Sequence, residues 1–525
     1  LILCYTHIKR NIFSFSVKTP QLYYFWNGIV KYRNEINGLR AIAIIPVVLF
    51  HANVPFFSGG YVGVDIFFVI SGYLITTTII NDLEQQKFSV IRFYERRSRR
   101  LLPLLLLVLS VVYIFSYFYN LPGVHKIVGQ YVTASIIFSS NFLLYFKSGD
   151  YFGIDPQINP LYHTWSLAVE EQYYIVFPLL LILLRKCTKK TIFFSLFLIF
   201  LISLTHAHLD VKKTQSASFF LITTRAWEIL LGSFCALFIS SNNIEKYHIL
   251  NQITSLIGLL LIGFSIFFFD PFTPNPSLFT LIPATGSALV IIFAKNYTFV
   301  KKMLCFKIFV ITGLISYSAY LWHIPIFTIF NQILQFSSEA TSNLYKVVPI
   351  LVIFVLSLFS WRFVEQPFRS KSIISTKVFL VFSLSSCFVL SVLGIIGHLN
   401  GGYPERNKLF LKLKQNNGFG LHCNGNFSLS KKCTSKEPVE VAVLGNSYAM
   451  QFVNAVAQYY DKGVLQLTRD SCKLGYKDQT NDLKRSHCLR FYKKAINTIN
   501  TNPNIKIVFL SSTFDEILNE KESMF

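Results

Sequence analysis

The sequence predicts an all-α, polytopic membrane helical bundle of about eleven spans, followed by a small extracytoplasmic α/β domain. Three observations carry that reading. Hydrophobic residues make up 52% of the 525-residue chain and charged residues only 14%, and the apolar residues come in runs close to the roughly 20 needed to cross a bilayer as a helix. Lys and Arg gather in alternate connections between those runs. After about Gly401 the chain turns polar, and short strand-like runs begin.

The spans are expected near 36–54, 61–80, 101–119, 172–185, 191–206, 219–240, 253–269, 278–294, 308–330, 346–364 and 376–396. A further apolar stretch, 132–146, is interrupted by Ser139, Ser140 and Asn141. It is expected to be re-entrant or interfacial, because counting it as a span spoils the alternation of charge. With the N-terminus inside, Arg96–Arg100, Arg185–Lys190, Lys295–Lys307 and Arg369–Lys371 fall in the cytoplasm. The opposite connections, such as 55–60, 270–277 and 331–345, hold no Lys or Arg. That asymmetry places everything after residue 397 on the far side.

The formal charge of +23 has the same explanation. A nucleic-acid binder gathers its basic residues into a domain or stripe, whereas these punctuate apolar spans, so no nucleic-acid partner is expected. Residues 1–31 begin at Leu1 and show no signal-peptide cleavage site. They are read as an N-terminal extension from which no function is drawn.

In the tail, ValGluValAlaValLeuGly (439–445) alternates like a strand, SerTyrAlaMetGlnPheValAsnAlaValAla (447–457) is helix-like, and IleLysIleValPheLeuSer (505–511) is a second strand. Strands alternating with helices suggest a small α/β domain; at about 120 residues it is expected to be incomplete. Cys423, Cys433, Cys472 and Cys488 all fall there, an even number in a compartment expected to be oxidising. Three pairings are possible, of which sequence neighbours are the simplest. No CxxC spacing occurs, and no metal site is expected.

Several residues could carry chemistry. Arg40 and His51 are eleven residues apart, close to three helical turns, so they share nearly one face about 16 Å apart along the axis. Ionisable groups inside a membrane are costly and usually mark a site or pathway; a packing histidine bonded to a carbonyl is the plainer account. Imidazole is a natural general base for a hydroxyl. Asp65, in GlyGlyTyrValGlyValAspIlePhePheValIleSerGlyTyrLeuIle (59–75), either pairs with His51 or Arg40 across the helix hairpin or caps its own helix. Arg97 and Arg100, in PheTyrGluArgArgSerArgArgLeuLeuPro (93–103), share a helix face suited to gripping phosphates, or simply set topology. HisThrTrpSerLeuAlaValGluGluGlnTyrTyr (163–174) is expected to place His163, Trp165, Glu170 and Glu171 at the external mouth of a span. Acidic and aromatic groups there suit carbohydrate, though an interfacial aromatic belt uses the same residues.

Taken in order, these four segments closely resemble the membrane acyltransferase-3 family, which O-acylates bacterial surface glycans. TyrSerAlaTyrLeuTrpHisIlePro (317–325) and TrpArgPheValGluGlnProPheArg (361–369) extend the likeness over roughly residues 32–370. The resemblance implies an enzyme, an acyltransferase transferring groups other than aminoacyl groups, in the bacterial inner membrane. It places the family's Arg-x10-His element on Arg40 and His51, and its Arg-x-x-Arg element on Arg97 and Arg100. The arginines would meet the phosphates of acyl-CoA, with acetyl-CoA the expected donor substrate and no bound cofactor. His51 would be essential, as base or acyl carrier, with Asp65 and Glu170 in supporting catalytic roles. His163, Trp165, Glu171 and His323 would lie on the acceptor side, facing an envelope glycan such as lipopolysaccharide O-antigen or peptidoglycan.

Residues 371–402 would then be an extra span and linker, and 403–525 a periplasmic domain resembling an SGNH hydrolase. Its usual GlyAspSerHis motif reads Gly445, Asn446, Ser447, Tyr448 here, and no AspXxxXxxHis partner is recognisable before Phe525. A serine without a base is a weak nucleophile, so catalysis by Ser447 and a structural or glycan-binding role both stay open. A rival reading of the whole chain is a transporter or flippase of a lipid-linked or small acidic solute, with Arg40, Asp65 and His51 lining its path. A third is a binding-only relative.

Overall fold

The computed structural model describes residues 33–147, 159–184, 187–211, 215–241, 244–334, 344–407, 417–425, 432–472 and 483–512. The N-terminal extension, parts of the connections at 185–190 and 331–345, and the final residues lie outside the described residues.

The helices run α1 (Asn34–His51), α2 (Gly63–Glu84), α3 (Val90–Tyr119), α4 (Pro122–Ile136), α5 (Ser140–Lys147), α6 (Thr164–Leu184), α7 (Lys189–Asp210), α8 (Gln215–Phe220), α9 (Ile222–Ser241), α10 (His248–Phe268) and α11 (Leu281–Phe293). They continue as α12 (Phe299–Leu304), α13 (Lys307–Leu314), α14 (Ser316–Leu334), α15 (Leu344–Ser360), α16 (Gln366–Arg369) and α17 (Thr376–Leu399). Among the described residues, eight helices are long and apolar enough to cross a membrane, and the α13–α14 pair, bent by 66°, makes a ninth candidate. The other two expected spans are α1, which carries Glu35 and Arg40, and the shorter α11. The apolar stretch 132–146 is split between α4 and α5, which meet at Phe138 with its backbone at φ 51°.

The chain forms two compact units: the first is built mainly of residues up to 395, and the second joins 116–127 to the tail from Ile396. In the first, α2 and α9 lie against each other at glycine contacts. A Cβ on Gly72 would stand 1.8 Å from the Ile229 carbonyl oxygen, and one on Gly232 1.9 Å from that of Val69. Backbones this close are the packing that small residues permit where lipid supplies no hydrophobic drive between helices. Leu39, Ile66, Val69, Ile70, Trp227 and Ile291 fill the core around that contact. Some of the polar groups inside pair across helices: Thr76 donates to Ser233 (2.7 Å), and the Tyr173 and Ser233 hydroxyls share a bond of 3.0 Å.

The second unit contains a parallel three-stranded sheet, order β2–β1–β3, made of β1 (Val439–Gly445), β2 (Gly463–Thr468) and β3 (Ile507–Ser511). Ala442 pairs with Leu465 on one side and Val508 on the other. Parallel neighbours require crossovers; here α18 (Ser447–Tyr459) and α19 (Leu483–Thr501) supply them. Disulfides join Cys423 to Cys433 and Cys472 to Cys488, the sequence-neighbour arrangement. In the same unit, Arg406 donates to the Asn120 carbonyl (2.7 Å) and lies over the Tyr117 ring.

Candidate functional site

Two helices carry arginine toward one cleft in the bundle unit. Arg40 comes from the middle of α1, Arg97 and Arg100 from the second and third turns of α3, and Glu170, Ser166 and Tyr174 from α6. Ser71 and Thr78 of α2 and Ser316, Tyr317 and Tyr320 of α14 complete the polar lining; Val64, Phe67, Phe68, Leu74 and Leu101 are among the apolar residues.

The arginines are not equivalent. Arg97 donates from Nε to Glu171 (2.9 Å) and from Nη2 to Glu170 (3.4 Å), and its guanidinium lies 3.9 Å over the Tyr174 ring. Glu170 also accepts from Ser71 (3.1 Å) and Tyr174 (3.3 Å). Arg100 has no hydrogen-bond or ion-pair partner among the described residues, and the positive charges of Arg40, Arg369 and Arg97 bear on it. Below the arginines, Glu365 accepts from Ser318 and from Arg369 (3.1 Å). Two elements singled out in the sequence, 317–325 and 361–369, meet at that carboxylate.

Beyond the cleft, three imidazoles converge. His51 ends α1, His163 precedes α6, and His323 sits within α14. Ring centroids are 5.2 Å apart for His51 and His323, and 5.1 Å for His163 and His323. Tyr320 stands between this group and the cleft: it lines the cleft, contacts both His163 and His323 rings, donates its hydroxyl to the His163 carbonyl (2.9 Å) and shares a hydrogen bond with Ser166 (2.5 Å).

Other expected residues are placed differently. Asp65 pairs with neither His51 nor Arg40. It accepts from Arg225 (2.8 Å) and Asn275 (3.1 Å), and the same guanidinium nitrogen donates to Glu228 (2.9 Å), in a network with side chains at most 1% exposed at Asp65, Arg225 and Glu228. The charge on α2 finds its partner on α9 because the glycine contact brings those helices together. Glu170 and Glu171 are not at the mouth of a span. The helix starts at Thr164, so both lie about 10 Å further along it, beside Arg97. Trp165 offers no open face for a sugar: it is 4% exposed, packed on Phe68, Phe219 and Phe220 with Arg225 across its ring. Sequence reasoning missed Arg225, Glu228, Ser71 and Tyr320. The first two had a readable signal, two charges three residues apart inside an apolar run.

In the second unit, Ser447 opens α18 after β1, at a strand-to-helix turn where Gly445 has φ 148°. Asn446 caps that helix, its side chain accepting from the Tyr448 amide (3.0 Å). Among the described residues no histidine or carboxylate hydrogen-bonds Ser447. His422 lies with Cys423 and Cys433 at metal-ligand distances, but the disulfide leaves no thiolate to bind an ion.

A family model described as an acyltransferase domain matches residues 33–362. The chain belongs to that acyltransferase family. A second model, an SGNH domain fused to such acyltransferase domains, matches residues 421–524. The O-acetyltransferase OatA of Staphylococcus aureus is 33% identical over 355 residues, which cover 65% of this chain and 58% of that protein. The peptidoglycan O-acetyltransferase OatA of Listeria monocytogenes is 30% identical over 360 residues, 66% of this chain and 57% of its own length. This chain thus spans less than two thirds of the relatives it matches. No solved structure matches it. With its family and its apolar helices, this acyltransferase-family chain is a multi-pass membrane protein.

Proposed function

We propose that the protein O-acylates an envelope glycan, taking an acyl group, acetyl first among candidates, from acyl-CoA on the cytoplasmic side of the bacterial inner membrane. The names of the Staphylococcus and Listeria relatives support acetyl transfer, and the Listeria name favours peptidoglycan over lipopolysaccharide as the first acceptor to test. The observation that carries the reading is the succession of a cationic cleft, a tyrosine wall and a histidine cluster in one bundle. Phosphates of the donor meet Arg100 and Arg40, where positive charge is crowded and Arg100 is without a protein partner. Arg97, held by two carboxylates, orders the wall of the cleft. The thioester extends toward His51, which assists attack by the glycan hydroxyl arriving from the periplasmic side. The hydroxyl oxygen bonds to the acyl carbon, the carbon–sulfur bond breaks, and the hydroxyl proton ends on the thiolate. The tail domain, on the periplasmic side, receives or positions the glycan.

The test uses sealed vesicles of defined orientation, with labelled acetyl-CoA on the cytoplasmic face and label counted in glycan on the other. His51→Ala is expected to lower labelling by about 10²–10⁴-fold at equal protein level, the usual worth of a positioned acid–base group. Retained labelling would remove His51 from the chemistry, and solute flux without donor would favour a transporter.

A further inference from the structure

We propose that His163 and His323 join His51 in one hydroxyl-binding site, in which His323 Nε2 takes the proton of the attacking hydroxyl. The inference rests on the acyl-transfer reading above and divides the assistance given there to His51 alone: His51 helps hold the hydroxyl, and His323 accepts its proton. His163 is 3% exposed and His323 0%. Both ring nitrogens of His163, and Nε2 of His323, are buried without a hydrogen-bond partner; the Leu321 carbonyl lies near His163 but out of bonding geometry. Leaving such atoms unpaired in a buried place is costly, and three of them on two neighbouring imidazoles are what a polar ligand would satisfy.

The chemistry of that ligand follows from the tautomer. His323 Nδ1 sits 2.5 Å from the Tyr320 carbonyl, which can only accept. The proton is therefore on Nδ1, and Nε2 presents a lone pair. A hydrogen bond on one ring nitrogen that fixes the other as acceptor is the arrangement by which a general base is oriented. Neutral His163 offers one donor and one acceptor, and a hydroxyl group is both. Sugar hydroxyls thus complement the site. A metal does not: among the described residues, the one group of His, Cys, Asp and Glu whose ligand atoms converge within 4.8 Å is His422, Cys423 and Cys433. In the step itself, the hydroxyl oxygen bonds to the acyl carbon while its proton moves to His323 Nε2. The carbon–sulfur electron pair leaves with sulfur, and the proton passes from Nε2 to the thiolate, so the imidazole ends neutral.

His323→Asn is the deciding variant, because its amide nitrogen can still donate to the Tyr320 carbonyl while nothing replaces Nε2. In oriented vesicles it is expected to lower transfer to glycan at least about 100-fold, with retention of labelled acetyl-CoA by the membranes unchanged. His163→Asn is expected to raise the acceptor KM more than it lowers kcat. Transfer by His323→Asn within threefold of native would overturn the assignment, as would loss of donor retention together with transfer, which marks a structural role. Stoichiometric metal in the purified protein, removed by chelator with loss of transfer, would replace the hydroxyl site by a metal centre. Absence of donor-dependent label with the native chain would instead strike the acyl-transfer reading itself.

Discussion

Arg97 and Arg100 lie one turn apart on α3 and line the same cleft, yet mutation should separate them. Arg97 neutralises Glu170 and Glu171 across the α3–α6 contact. Removing one partner of a buried ion pair leaves an uncompensated charge, at a cost of about 3–5 kcal/mol. Arg97→Ala is therefore expected to destabilise the bundle, seen as a lower Tm in detergent, before any effect on the donor is considered. Arg100 makes no hydrogen bond or ion pair among the described residues, and three arginines as well as Glu365 act on it. Arg100→Ala should leave Tm unchanged or raise it while weakening donor retention, and added salt should weaken retention by the native protein in the same direction. Equal loss of Tm in both variants would show that Arg100, too, is a structural charge. From sequence these two arginines formed one Arg-x-x-Arg element; the distinction between them comes from α6, seventy residues further on.

At the scale of elements, the α2–α9 contact decides where Asp65 goes. A Cβ at Gly232 or Gly72 would stand within 2 Å of a carbonyl oxygen, and backbone cannot give way as a flexible side chain does. Gly232→Val is expected to separate the helices, break the Asp65–Arg225 pair and lower Tm by more than Asp65→Asn does; thermal unfolding of the two variants tests the order. Spans were legible because each run of apolar residues is a local property, and every expected span corresponds to a helix. The starts of helices were less so: α6 begins eight residues before the expected span because Thr164–Glu171 mixes Thr, Ser and two Glu with Trp and three aliphatic residues and packs against neighbouring helices. Pairing across helices was not legible at all. Nothing local to Asp65 points to a residue 160 positions away, and the one long-range feature that sequence arithmetic reached, the cysteine pairing, involves separations of only 10 and 16 residues. Loops of that size imply about 3 kcal/mol of stabilisation per disulfide.

For the whole molecule, the side on which each face of the bundle lies decides whether donor and acceptor meet across the membrane or on one surface of it. On the reading of eleven spans with the N-terminus inside, the first turns of α3 would lie in the cytoplasm, and Ser447 with both disulfides outside. Cys187 is an exposed free cysteine in the basic connection after α6, which that topology makes cytoplasmic. An impermeant maleimide should therefore label it in inverted vesicles and leave it unlabelled in right-side-out ones, with Cys187→Ser as the control. After mild reduction, Cys423 and Cys433 should show the opposite pattern. Labelling of Cys187 and the reduced disulfide cysteines from the same side would remove the odd number of crossings between them. The tail domain would then share a compartment with the donor, and transfer would need no passage of the acyl group through the bundle. Opposite labelling makes such passage obligatory for any acyl group that begins on cytoplasmic CoA and ends on an external glycan, and Tyr320, which lines the cleft and touches His163 and His323, is the first side chain to test along it.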